Sequence, residues 1–384
     1  MAIGWQIFLL RHQPFDLGLL GLVLFLPQAL LAFPAGFIAD RFDRRLVCIV
    51  CVLVQALTMA MFAWLAHTGT KSLGVYLAVA AVLGTAYAID APSERSLLAT
   101  IVHGDNFLRA QALTSSISQF ISISSPALGG ALLLLGTPVA FGTAAVGYLG
   151  VAAAFAVLRP RGEASSALTM LQGAGEALRF ILARKVLLGA ISLDLFAVLF
   201  GGATALLPVY ADSILHVGPA GLGLLRSAPA LGSALVAAML VRRPLQRHVG
   251  RTLFLTVAGF GVSTIAFGLS RNLWLSLLAL AATGGFDMVS VVIRVGIVQL
   301  RTPNALRGRV SALENVFIGA SNELGEFESG TLAQFAGTPA SVVIGGIGTL
   351  VVIGLWAVLF PPLRRFDRMD EAEEVQQEGA EAPD

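Results

Sequence analysis

Eleven stretches of this chain are each apolar for long enough to cross about 30 Å of hydrocarbon, and short polar connections separate them. They fall at 17–39, 46–66, 73–98, 112–135 and 138–158, then at 186–210, 219–241, 252–270, 273–300, 310–336 and 339–360. In lipid no water satisfies backbone N–H and C=O groups, so a spanning segment must close its own hydrogen bonds. These runs are too long and too uniform for barrel strands, which leaves helices. Composition agrees. Of 384 residues, 56% are apolar and 12% charged, about half the roughly 25% charged residues of a soluble domain. Disorder, collagen and disulfide-rich folds are excluded, no room remains for a large soluble domain, and the expected class is an all-α membrane protein.

Basic residues set the orientation, because short loops rich in Arg and Lys stay cytoplasmic. One alternating set of loops carries twenty of them, whereas the other carries Arg11, Lys71 and Arg271. The chain is therefore expected to be multi-pass with a cytoplasmic C-terminus, ending in a solvated acidic tail after Arg368. A net charge of +2 gives no reason to expect a nucleic-acid partner. Met1 opens directly into AIGWQIFLL, too short to span, before Arg11, His12 and Gln13. No basic n-region and no small-residue cleavage site favour a signal peptide, so the stretch reads as half of a first helix that is incomplete here.

The longest polar connection, Arg159 to Lys185, contains LTMLQGAGEALRFILARK, with apolar residues three or four apart as in an interfacial helix. It divides the chain into an N-terminal bundle (1–158), a cytoplasmic linker (159–185), a C-terminal bundle (186–362) and an acidic tail (363–384). The halves share a pattern. Arg109-Ala-Gln-Ala-Leu113 matches Arg309-Val-Ser-Ala-Leu313 at an offset of 200, which Gly130 with Gly330 and Leu132 with Leu332 maintain, as parallel repeats require.

Between the first two complete spans lies Gly36-Phe-Ile-Ala-Asp40-Arg41-Phe-Asp43-Arg44-Arg45. It resembles the cytoplasmic loop signature G-x-x-x-D-R-x-G-R-R of the major facilitator superfamily, with Asp43 in place of a glycine. That replacement points toward the drug-exporter and siderophore-exporter branch. A glycine at the helix end permits close approach, and an acidic residue there can complement a helix N-terminus or an arginine. The same arginines also serve as topology anchors. In the fourth complete span, Ser125-Pro126-Ala-Leu-Gly129-Gly130 is similar to the G-P-x-x-G-G element of antiporters in this superfamily, with serine for the first glycine. Proline there would kink the helix and the glycines would allow tight packing. Ser115, Ser118, Ser122 and Ser125 give one small polar face, suited to interhelical hydrogen bonds or a cavity wall.

Charges within spans carry the next inference, since an unpaired charge at mid-bilayer costs at least about 2.5–3.5 kcal/mol. Counting about 1.5 Å per residue, Asp194 lies roughly 12 Å into its span, while Asp287 and Glu323 fall near the midplane of consecutive helices, where they could share a proton. A simple ion pair of Asp287 with Arg294, seven residues on, is the alternative. Arg226 has Glu326 and Glu328 as structural partners at similar depth, and Asp90, Glu94 and Arg95 could dock on the Asp40–Arg45 loop.

The resemblance extends over nearly the whole chain, including LDLFAVLFGGATALLPVYA (193–211) and GRVSALENVFIGASNELGEFESG in the run 307–330, which are similar to segments of multidrug efflux pumps and enterobactin exporters. It implies the major facilitator fold, two six-helix bundles with pseudo-two-fold symmetry. The first, fourth, seventh and tenth helices line a cavity, which places Asp90, Asp194, Asp287 and Arg294 on lining helices and Glu323 on the eleventh. It implies proton antiport through alternating access, export of small hydrophobic or amphipathic molecules held against Phe196 and Phe200, and a latch at the Asp40–Arg45 loop. An importer of the same fold and a truncated, non-transporting sensor or scaffold are the alternatives.

Enzyme chemistry is not expected. No G-x-x-x-x-G-K-[ST], HExxH or G-x-S-x-G occurs, and the five histidines are scattered. Cys48 and Cys51 form a CxxC inside an apolar run without further ligands, which reads as buried inert thiols. No cofactor or metal is expected; the expected partners are a small-molecule substrate, protons and the bilayer, with the chain as a monomer.

Overall fold

The computed structural model describes residues 1–101, 106–158, 168–243, 245 and 247–368, and among them there is no strand. The first helices are α1 (Ala2–Arg11), α2 (Pro14–Arg41), α3 (Arg44–His67), α4 (Leu73–Ile101), α5 (Asn106–Leu134) and α6 (Thr137–Val157). A connecting helix α7 (Leu168–Ala183) leads into α8 (Lys185–Gly201). The chain then loosens into a 3-10 turn (Ala203–Leu206), the single turn α9 (Leu207–Val209) and a π turn (Tyr210–Ile214). There follow α10 (Gly218–Arg242), α11 (Val249–Leu269), α12 (Leu273–Arg301), α13 (Asn304–Ala336), α14 (Thr338–Leu359) and the short α15 (Pro361–Arg364).

Among the described residues, ten helical segments are long and apolar enough to cross a membrane, with Lys185–Ile214 counted as one, so this is a multi-pass membrane protein. The sequence alone suggests eleven. The run 310–336 is helical as α13, 33 residues long, but Arg307, Arg309, Glu314, Glu323, Glu326 and Glu328 make it the least apolar of the long helices.

Contacts group the chain into two compact units, Met1–Thr169 with Leu207–Ser227, and Met170–Leu206 with Ala228–Asp384. Leu207–Ser227 therefore sits with the N-terminal residues, across the boundary drawn from sequence. In the first unit α3 packs on α4 and α6, and α2 on α4, around Phe62, Tyr76, Leu83 and Phe141. In the second unit α11 packs on α12 and α14, and α8 on α13 and α14, around Leu187, Leu193, Ile293, Ile297 and Trp356. The pairing of α3 with α4 and α6 is thus the pairing of α11 with α12 and α14. A shared turn accompanies it: Gly136-Thr-Pro opens α6 and Gly337-Thr-Pro opens α14, with glycine φ of 106° and 86°. Only glycine adopts that backbone cheaply, and proline at the start of a helix forfeits no hydrogen bond.

The residues just before the acidic stretch pack against the rest of the second unit. Leu363 and Phe366 are buried, Gly250 N–H donates to Phe366 O at 2.8 Å, and His248 N–H donates to Asp367 Oδ1 at 2.9 Å. The chain after α15 thereby supplies acceptors to the otherwise unsatisfied first turn of α11.

Candidate functional site

The site begins where α8 stops. Gly201 and Gly202 end its regular hydrogen bonding, Pro208 lacks the N–H that would extend it, and the chain turns irregular. Gly202 approaches α13 so closely that a methyl group on it would sit 3.0 Å from the carbonyl carbon of Gly325. Non-helical backbone at membrane depth persists only where protein buries it or a cavity borders it. Here Gly201, Gly202, Ala203 and Thr204 border a cavity of about 240 Å3 built wholly from the second unit. Pro229 and Ser233 of α10, Phe260, Thr264 and Phe267 of α11, Leu280, Thr283, Gly284 and Asp287 of α12, and Asn322 of α13 form most of the remaining wall. α10 and α12 touch through glycine, since a side chain on Gly284 would run into the Pro229 carbonyl, and Ser233 Oγ donates to Gly284 O at 2.8 Å.

Among the described residues, Asp287 is the one ionisable side chain on this wall. It makes no hydrogen bond or ion pair within the described residues; its charged neighbours are Asp194 and Arg294. A second, much smaller cavity of about 10 Å3 shares Val198, Phe260 and Asp287 with this wall and is also lined by Asp194, Phe286 and Ser290. Beside it Arg294, 3% exposed, places Nη1 2.6 Å from Asp194 Oδ2 and 3.5 Å from Glu314 Oε1. Asp194 and Glu314 are each 6% exposed. Helices α8, α12 and α13 thus bring three carboxylates to one guanidinium, and ionised they leave the cluster two charges negative.

This geometry redistributes the charges anticipated from sequence. Arg294 pairs with Asp194 and Glu314 rather than with Asp287. Glu323 neither lines the cavity nor counts among the charged neighbours of Asp287; its chain neighbour Asn322 faces the cavity instead. Glu314 joins the cluster unforeseen, although an acid inside the apolar run 310–336 is itself a signal. Phe196 lies against Trp356 with ring centroids 5.2 Å apart and Phe200 packs over Gly348, so the aromatic wall of the cavity comes from Phe260 and Phe267. Arg226 is in the first unit and Glu326 and Glu328 in the second; Glu328 accepts from Ser329 Oγ at 3.4 Å.

In the first unit Asp43 caps α3, accepting from Arg45 N–H at 2.9 Å. The Arg45 side chain donates to Phe155 O at 2.9 Å and to Ala156 O, the exposed carbonyl end of α6. A cation there complements the helix dipole. Arg41 and Arg44 both have interaction partners. The side chains of Gly36, Asp40, Arg95 and Ser115 lie outside the described residues. Asp90 accepts from Gln55 Nε2 of α3 at 3.1 Å, with the Cys48 thiol beside it. Cys48 and Cys51 are buried and unpaired. Gly130 of the antiporter-like element meets Gly223: a methyl group on Gly130 would sit 2.8 Å from Gly223 Cα and 2.9 Å from Pro219 O. Pro126 lies inside α5, and its carbonyl oxygen is 2.8 Å from where a methyl on Gly223 would be.

Comparison with known proteins gives one consistent picture. Residues 1–381 match the major facilitator family described as transmembrane secretion effector. The enterobactin exporter EntS of Citrobacter koseri is 25% identical over 390 aligned positions, covering 95% of this chain and 88% of that protein. Among solved structures, an inward-facing, unoccupied bacterial homologue of the human lysosomal transporter Spinster superposes with a TM-score of 0.74 at 14% identity, over 95% of both chains. The nucleoside transporter NupG, in the form of a point mutant, gives 0.72 at 14% identity over 94% of both.

Proposed function

Since the chain belongs to the transmembrane secretion effector family of major facilitator transporters, we propose that it exports small hydrophobic or amphipathic molecules, of drug or siderophore type, in exchange for protons. The observation that carries this reading is the charge imbalance of the second unit: Asp194, Asp287 and Glu314 face a single Arg294, with Asp287 open to the cavity. Buried charge of one sign is tolerated only with a partner, and a proton or a cationic guest supplies it. Similarity to enterobactin exporters supports the outward direction. The shared helix pairing and the two Gly-Thr-Pro turns support a pair of related six-helix bundles working by alternating access.

In this mechanism the protonated or cation-filled cluster and the empty, charged cluster favour different states of the transporter. Arg294 holds Asp194 and Glu314 in place, while Asp287 exchanges its partner with the cavity. On the cytoplasmic side, Arg45 and Asp43 brace the ends of α6 and α3, and the Asp40–Arg45 loop latches that side when the cavity opens outward. The chain works as a monomer with its C-terminus in the cytoplasm.

The test is export from inverted membrane vesicles under an imposed pH gradient, comparing the parent protein with Asp287→Asn at equal membrane abundance. Gradient-driven transport should disappear in the variant. Normal transport by Asp287→Asn would remove Asp287 from the coupling step, and accumulation in the opposite direction would favour an importer.

A further inference from the structure

Three of the hydroxyls around the second-unit cavity already direct their protons to backbone carbonyls: Ser233 to Gly284 O at 2.8 Å, Thr264 to Phe260 O at 3.0 Å and Thr283 to Leu280 O at 2.7 Å. What they present to a guest is therefore oxygen lone pairs. Asp287, when ionised, is an acceptor too, and the neighbouring cation Arg294 is engaged by Asp194 and Glu314. In the small adjoining cavity lined by Asp287 and Asp194, Ser290 is 3% exposed and its Oγ has no hydrogen-bond partner among the described residues. A buried hydroxyl in that condition calls for a partner that the fold does not provide. Phe260 and Phe286 line the same small cavity, and aromatic faces attract cations.

We propose that this cavity binds an organic cation: a protonated amine on an apolar single-ring body, its ammonium group at Asp287 and Ser290 and its ring against Phe260. Asp287, Ser290 and the aromatic faces select for that chemistry. An anion would meet Asp287 and Asp194 with no free cation among the described lining residues to offset them. A neutral donor would gain hydrogen bonds but forgo the stronger charge-assisted ones. The volume of about 240 Å3 lies below the roughly 300–1,000 Å3 of sites for drug-sized ligands, which limits the guest to one ring or to one ring of a larger molecule. Because the ammonium ion and a proton would occupy the same carboxylate, taking up one expels the other. The physiological meaning of the site rests on the export reading above; the binding itself does not.

The test uses the full chain, purified in detergent with no gradient, and three matched probes: 2-phenylethylamine, the uncharged 2-phenylethanol and the anionic phenylacetate. The amine should bind saturably and at least tenfold more tightly than the alcohol, with no binding of phenylacetate. Asp287→Asn should lower amine affinity to that of the alcohol, and Ser290→Ala should weaken it several-fold. Asp212→Asn, in the π turn outside the cavity wall, should leave it unchanged. In the unaltered protein, saturating amine should protect Asp287 from dicyclohexylcarbodiimide, as read by peptide mass, which holds even where a variant fails to fold. Equal binding of amine and alcohol, binding of phenylacetate, full affinity in Asp287→Asn, or labelling indifferent to the amine would each overturn the proposal. Amine binding without pH-gradient-driven efflux would remove the export reading and keep the site. Gradient-driven efflux of another substrate without amine binding would do the reverse.

Discussion

Replacing Arg294 should cost far more stability than replacing Glu314, although both belong to one buried cluster. At an effective dielectric constant of about 20, the attraction of Arg294 for Asp194 at 2.6 Å is roughly 6 kcal/mol and for Glu314 at 3.5 Å roughly 5 kcal/mol. Desolvating each ion takes back several kcal/mol, so the net contribution of either contact is small. The asymmetry lies in what each substitution leaves behind. Arg294→Gln strands two carboxylates that are each 6% exposed, and breaking a buried pair in this way costs about 3–5 kcal/mol. Glu314→Gln keeps the 2.6 Å pair and removes one surplus negative charge with its burial penalty, so its cost should stay within about 1 kcal/mol. For a unit of roughly this size, the first change should lower the melting temperature by roughly 10 °C and the second by no more than a few degrees. Helix content followed by circular dichroism during heating in detergent measures both. Asp194→Asn added to Arg294→Gln should recover part of the loss, because the pair is coupled. A melt for Arg294→Gln equal to that of the parent, or an equal loss in both single variants, refutes the charge-surplus reasoning.

Other substitutions test the packing and the caps. Asp43→Ala should lower the stability of the first unit by about 1 kcal/mol and Asp43→Gly by only a few tenths, because glycine is itself a tolerable cap; thermal unfolding of the two variants compares them. Arg45→Ala removes both donors from the end of α6 and should cost about 1.5–3 kcal/mol, visible as faster proteolysis at that end. Gly130→Leu forces a branched side chain against the Gly223 backbone and should reduce folded protein in the membrane, whereas Gly142→Leu, with nothing within 4 Å, should not. Gly202→Val should likewise disturb the approach of α8 to α13 and narrow the cavity, read as lost transport at wild-type abundance or as lost abundance.

The number, kind and placement of nearly all the helices were legible in the linear sequence, because the cost of leaving a peptide group unsatisfied in lipid turns every long apolar run into one structure. Asp43 beside Arg44 and Arg45 already carried its capping chemistry, since a cap and its helix are neighbours in the chain. Even the Gly-Thr-Pro turns before α6 and α14 stand in the sequence, though three residues are too short a repeat to mark themselves. Partnership among the buried charges could not be obtained in this way. Asp287 and Arg294 share a helix face, so the chain offered them to one another, but Arg294 is claimed by Asp194 from a hundred residues upstream and by Glu314 from the next helix. Likewise Phe196 and Phe200 have the right residue type at the right depth, yet helix rotation turns one onto Trp356 and the other onto Gly348. Apolarity is a property of each segment and can be summed along it; which side chains meet depends on the rotation, register and crossing of several helices at once, and that is settled only when they pack.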